Sequence, residues 1–255
     1  MDGKALHLRV HAIGVSVLVG TIFISISPGL AQDAEFIAIT KSQHFEQFTP
    51  LLAGLKLPAF VDAEDAPFRF EAFAEAAGPG LMTAATLTLP GGSVYPLPML
   101  DESEWATVEG FGIFGEMEAA FPPGTYQIQV DTAHDGSPIV HLDLPATGYP
   151  VLTTFLNFEA AQMIDATVPF TATWNPIPGG TQDDVVSFEI DGVMSSPDIG
   201  EPGQLTGLDT EFTIPGGTLE PGREYSASLR VFRPVDSDNS YSGVFTVSAL
   251  GKTVR

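Results

Sequence analysis

Beyond residue 31 the sequence holds three histidines, His44, His134 and His141, and these are where proton chemistry could sit. His134 is followed by Asp135, and His141 stands two residues before Asp143. Each imidazole thus has a carboxylate near enough to orient it, as a triad or a metal site requires. On a strand, His141 and Asp143 would point to the same face. A hydrolase would also need a nucleophile. No Gly-x-Ser-x-Gly elbow and no His-Glu-x-x-His pair is present, and there is no cysteine to supply a thiolate. The expectation is that both histidines are solvent-facing strand and turn residues, that no catalytic residues exist and that the chain is not an enzyme. A hydrolase using His134 or His141 is kept as a third reading.

Carboxylates are the other chemical resource, with 32 Asp and Glu against 10 Lys and Arg, a formal net charge of −22. Their densest loops are Asp101-Glu102-Ser103-Glu104 and Asp236-Ser237-Asp238-Asn239-Ser240. The second has alternating oxygen ligands like the start of a calcium loop, so Asp236, Asp238 and Asn239 are candidate calcium ligands. It lacks the glycine at the sixth place and the closing glutamate, and reads equally as a polar hairpin tip. No other cofactor is expected. No Lys or Arg occurs between Arg69 and Arg223, a stretch that holds 22 acids. Such a surface repels phosphate backbones and anionic membranes, which argues against nucleic-acid partners and stable membrane insertion. Solubility is the plain explanation of the acidity, and divalent-cation binding by loop carboxylates the functional one. For sugars, stacking platforms need several rings on one face, and Phe73, Tyr95, Trp105, Phe111 and Phe114 are the candidates. With only 2 Trp and 5 Tyr beside 18 Phe, most rings read as core.

The elements that would position these groups are short strands. Gly (26) and Pro (21) are frequent, while 44% of residues are hydrophobic, which favours strands joined by tight turns over helices or disorder. Lys4 and Arg9 precede an uncharged segment from Val10 to Gln32. It breaks at Pro28-Gly29 and ends in Gly29-Leu30-Ala31, small residues at the −3 and −1 positions of a cleavage site. Residues 1–31 therefore read as a secretory signal peptide, with an uncleaved anchor as the rival. Export without cysteine leaves stability to apolar burial alone. Alternation then recurs at Phe36–Lys41, Phe68–Phe73, Met82–Leu89, Tyr126–Asp131, Ile139–Leu142 and Phe170–Trp174. Trp105 to Phe121 reads as two more strands. Pro145 to Pro150 is the boundary between an N-terminal domain, 32–147, and a C-terminal one, 148–255, packed in a fixed relation because the connection is short. Each carries a comparable corner: Pro122 stands four residues before Tyr126, and Pro221 four before Tyr225, after Leu219.

On Trp174, Leu219, Pro221 and Tyr225 the second half, about residues 149–255, resembles a fibronectin type III or immunoglobulin-like domain. Such domains carry a tryptophan on an early strand and a Leu-x-Pro-x-x-x-Tyr corner before a late one. The resemblance implies structural roles: Trp174 in the inter-sheet core, and the Tyr225 hydroxyl bonded to nearby backbone. Phe170–Trp174 and Thr213–Gly222 also resemble Phe-Thr-x-Thr-Trp and Thr-Ile-Pro-x-Gly-Thr-Leu-x-Pro-Gly phrases of exported bacterial proteins. The first half matches less, because Ala120 stands where the corner leucine would be. The expected protein is all-β, two tandem immunoglobulin/fibronectin-III-like antiparallel β-sandwiches after a signal peptide. It would act as a structural or protein-interaction module at or outside the cell surface, its partner a protein or a glycan. A carbohydrate-binding accessory module is the second reading.

Overall fold

A computed structural model describes residues 33–47, 55–57, 66–151, 153–190, 192–198, 200–236 and 239–250. The expected signal peptide lies outside the described residues. The described residues are all-β, about 49% strand and 6% helix. In order it forms β1 (Ala34–Gln47), β2 (Leu55–Lys56), β3 (Phe68–Ala76), β4 (Met82–Thr88), β5 (Val94–Leu97) and β6 (Glu104–Phe111). A helix, α1 (Phe114–Ala120), precedes β7 (Gly124–Thr132) and β8 (Ile139–Leu144). After a short helix α2 (Phe158–Ala161) come β9 (Phe170–Thr173), β10 (Val185–Ile190), β11 (Met194–Ser195), β12 (Leu205–Thr206) and β13 (Glu211–Ile214). The last hairpin is β14 (Tyr225–Asp236) and β15 (Asn239–Leu250).

The helix α1 corrects the expectation of two strands in Trp105–Phe121. Only the first half is a strand. Glu116, Met117, Glu118, Ala119 and Ala120 are all good helix formers with no β-branched residue among them, and Pro122-Pro123 stops the helix. Its inward residue, Met117, is fully buried.

Period-two burial builds the sheets. Along β3 buried and half-buried residues alternate without a break, so Phe68, Phe70, Ala72, Ala74 and Ala76 share one face. That face meets Leu87, Ile128, Val130 and Leu142 of the sheet β5-β4-β7-β8 in one apolar cluster. Phe70 stacks on Phe121 with centroids 3.8 Å apart and lies 5.7 Å from Tyr126. A second cluster gathers Val186, Phe188 and Ile190 of β10 and Ala227, Leu229 and Val231 of β14 against Ala172 and Ile214 of the two-stranded sheet β13-β9. Trp174 sits in it fully buried, stacked on Phe188 at 6.3 Å. Burying rings of this size contributes about 2–3 kcal/mol each.

The expected boundary at 147/148 falls between these clusters, yet one sheet runs through both halves. Its order is β11-β10-β14-β15-β1-β3-β6. β1 pairs antiparallel with β3 and parallel with β15, so it belongs to both halves. On its inward face Ile37 and Ile39 enter the first cluster, while Phe45 packs on the second. Gln47 closes the seam: its side-chain nitrogen donates to the Phe155 carbonyl (3.1 Å), and its oxygen accepts from the Phe155 amide (2.8 Å).

Candidate functional site

The tyrosine corners are held by local chemistry. The Tyr126 hydroxyl donates to the Pro122 carbonyl at 2.6 Å, and the Tyr225 hydroxyl accepts from the Glu220 amide at 2.8 Å. Leu219 is buried beside the second corner. Gly222 takes φ +80°, a left-handed conformation that the turn after Pro221 requires and that only glycine adopts cheaply. The Trp174 indole nitrogen donates to the Asp209 carbonyl at 2.8 Å. All of these residues are committed to the interior and its corners.

The histidines do different things. His44 is half-buried on β1, and its Nε2 lies 2.8 Å from the Arg69 guanidinium. Because a guanidinium only donates, that nitrogen must be the acceptor of a neutral ring. Burial, and then Arg69 and Arg230, push the imidazole down to about 3. His134 is 72% exposed on the β7–β8 turn, and its Nδ1 lies 3.0 Å from Asp33 rather than being tied to its sequence neighbour Asp135. The buried Asp33 also accepts from the His134 amide (2.7 Å), while its own amide donates to Asp135 (3.2 Å). The group pins the start of β1 to that turn. The carboxylate holds the His134 ring above its ordinary pKa, and the ring holds Asp33 below its own. No hydroxyl reaches the other ring nitrogen among the described residues. His141 and Asp143 share the exposed face of β8, and Asp143 accepts from the Thr125 hydroxyl. No described hydroxyl is bonded to either imidazole, so the pieces of a hydrolytic site are not brought together.

Two of the three candidate calcium ligands lie on the last hairpin. Asp236 and Asn239 face each other across the tip of the β14–β15 hairpin, and Asp238 lies outside the described residues. Among the described residues no group of three His, Asp or Glu is placed to hold an ion. The five aromatic candidates for a sugar platform are dispersed. Trp105 is 4% exposed and belongs to the first cluster, Phe111 packs edge-on to Phe121, and Phe73 leans on Phe36 on the outer sheet face. Phe114 packs against Tyr149, leaving Tyr95 as the exposed ring on β5.

Lys41 is the unexpected buried charge. It faces inward on β1, 0% exposed, and its ammonium lies 2.8 Å from Glu118 on α1. The Tyr149 hydroxyl donates to the same Glu118 oxygen at 2.8 Å. Burial pulls the lysine below its usual pKa, with Glu118 opposing the shift. The triad ties strand, helix and connector together at the seam.

Exposed apolar residues concentrate, among those described, on the lateral edge of the first sandwich, residues 94–114. Seven of the fourteen exposed large hydrophobic residues among those described fall in this stretch, including Val94, Met99, Leu100, Val108 and Ile113. The strands explain why. β5 ends the smaller sheet and β6 ends the large one, so both terminal strands lie on this side, joined by the 98–103 crossover. The crossover covers only the start of β6: the Ala106 amide donates to the Pro98 carbonyl (3.0 Å), and the Leu100 amide to the Glu104 carbonyl (2.8 Å). Carboxylates flank it. Glu104 lies directly across from Glu75, and Asp101 and Glu109 are close by in sequence. Burial raises the pKa of Glu75, with Glu35, Glu104 and Asp101 adding to it, and burial and Asp101 raise that of Glu104. Like charges opposed across a strand pair are destabilising.

No protein-family model matches the sequence, and no curated protein matches it. Among solved structures the chain is similar to a 1.5-MDa bacterial ice-binding adhesin, at 11% identity and TM-score 0.29, over 86% of this chain and 65% of that one. A Ca2+-stabilized adhesin of an Antarctic bacterium gives 15% identity and TM-score 0.30, over 88% and 50%. The FN1–FN3 domains of chicken CNTN1 give 9% and 0.28, over 70% and 62%. The chain thus spans less than two thirds of each of these structures. Among the described residues no helix is long and apolar enough to cross a membrane.

Proposed function

We propose that this is an exported, non-catalytic protein of two fibronectin-III-like or immunoglobulin-like sandwiches, acting as a structural or protein-interaction module at or outside the cell surface. The observation that carries the reading is the lateral edge at 94–114, where half of the described exposed large hydrophobics gather beside two terminal strands. Concentrations of exposed apolar surface on such an edge mark interaction sites. A protein partner fits this surface better than a sugar does, because Trp105, Phe111 and Phe73 do not share its face.

The test uses the full chain in its native cells, with a photoreactive residue at position 99, 108 or 208. Protease added to intact cells should degrade the protein. Irradiation should give a discrete adduct from positions 99 and 108 and none from Leu208, which is exposed elsewhere. Protection from the protease would refute exposure at the cell surface. Adducts absent from this edge, or equal from position 208, would refute the interaction surface.

A further inference from the structure

Strands have two sides, and the hydrogen bonds of β6 show which groups point outward. Because the Ala106 amide and the Glu104 carbonyl bond the crossover, residues 104 and 106 turn their backbone groups away from β3. The Ser103 carbonyl accepts from Ala76 of β3, so odd positions point the other way. In an antiparallel ladder this alternation continues, so Val108 and Gly110 also direct both N–H and C=O at the open edge. Among the described residues no strand pairs with them there. The crossover therefore occupies the first half of the β6 edge, and among the described residues the second half, in line with it, is unpaired.

We propose that this free edge, Thr107–Phe111, accepts a cationic extended segment of a partner protein as an added antiparallel or parallel strand. The inference rests on the interaction-module reading and names the partner's chemistry. Strand addition supplies main-chain hydrogen bonds to Val108 and Gly110, and alternate side chains of the incoming strand give selectivity. Those side chains meet Val108 on the outer face and Glu109 on the other, with Glu104, Asp101 and Glu102 beyond. Lysine or arginine there offsets Glu75 and Glu104, which oppose each other across the β3–β6 pair, whereas the cation on β3, Arg69, stands across from Gly110 at the other end and lies 3.5 Å from Glu71. A second copy is the wrong occupant, since edge-to-edge pairing would set the same carboxylates against themselves.

The experiment titrates the full chain with a dye-labelled heptapeptide alternating lysine with threonine and valine, and with its glutamate counterpart. The lysine peptide should bind, the glutamate peptide should not, and binding should weaken as salt rises from about 0.05 to about 0.5 M. Val108→Pro removes one outward N–H without touching the β3 ladder, a position where edge strands tolerate proline. It should weaken binding at least tenfold (about 1.4 kcal/mol) while the melting temperature stays near that of the parent. Glu104→Gln with Glu109→Gln should weaken it and flatten the salt dependence. Equal binding to V108P would mean diffuse electrostatics and would overturn strand addition. So would no binding of the lysine peptide to the parent. A concentration-dependent dimer abolished by V108P would make a second copy the occupant and overturn the cationic partner. Photo-adducts from positions 99 and 108 would survive any of these failures, so the inference can fall while the interaction surface stands.

Discussion

Acid should destabilise this protein through His44 before most of its carboxylates titrate. The neutral ring accepts from Arg69 at 2.8 Å, so a proton on that nitrogen would face a guanidinium donor with another cation, Arg230, close by. In the unfolded chain the ring titrates near 6.5, whereas in the folded protein it is pushed down to about 3. The folded pKa is depressed, so below 6.5 the unfolded state takes up a proton that the folded state refuses. The contribution is intact above the unfolded value and is lost as pH falls toward the folded one. Each pH unit in that window costs at most about 1.4 kcal/mol, or about 2 kcal/mol between pH 6.5 and pH 5. His44 is half-buried rather than sealed, so we expect about 1–2 kcal/mol. Other groups act in the same range: the raised Glu75 and Glu104 favour the folded state as pH falls, opposing His44. A variant comparison removes them. Urea unfolding of the parent and of His44→Gln, which keeps an acceptor for Arg69, should be measured at about pH 7 and about pH 5. The parent should lose about 1–2 kcal/mol more than the variant on acidification. Equal losses would refute the neutral, guanidinium-bonded ring.

Three further outcomes follow from the geometry. Tyr126→Phe and Tyr225→Phe each remove one corner hydrogen bond, and urea unfolding should show a loss of about 1 kcal/mol apiece, additive because the corners lie in separate clusters. Lys41→Met leaves Glu118 without its buried cation and should cost about 3 kcal/mol, whereas adding Glu118→Leu should recover most of it; a double variant no more stable than the single one would count against the buried pair. EDTA should leave the melting temperature unchanged, since the hairpin tip at Asp236–Asn239 has neither the glycine nor the closing glutamate of a calcium loop; a fall restored by calcium would place an ion there.

Local features were the ones readable from sequence. A tyrosine four residues after a proline returns to that turn whatever the rest of the chain does, and Phe170, Ala172 and Trp174 show their common face by spacing alone. Helix α1 departs from the expectation of two strands in residues 105–121, and the signal against the second strand lies in its own residues, since Glu116–Ala120 lack the β-branched side chains a strand prefers. What spacing does not reveal is pairing across distance. Asp33 meets His134 101 residues later, a partner that the adjacent Asp135 concealed. Nothing in the composition of Glu104–Phe111 says that β6 is a terminal strand, since edge and interior strands can share a pattern and differ only in topology.

The strand shared by both halves also sets an order of events. Ile39 pairs with Asn239, so a contact at the heart of the large sheet waits for almost the whole chain to be made. Until β15 arrives, β1 and β14 each show an unpaired edge where that strand belongs. Closing a loop of this span is slow, and exposed edges during the wait invite association with other chains. For a chain proposed to cross a membrane unfolded, that delay becomes an advantage: the sheet cannot close until its last strand is through. Truncating the C-terminal hairpin should accordingly leave both halves aggregation-prone, rather than freeing an intact first sandwich.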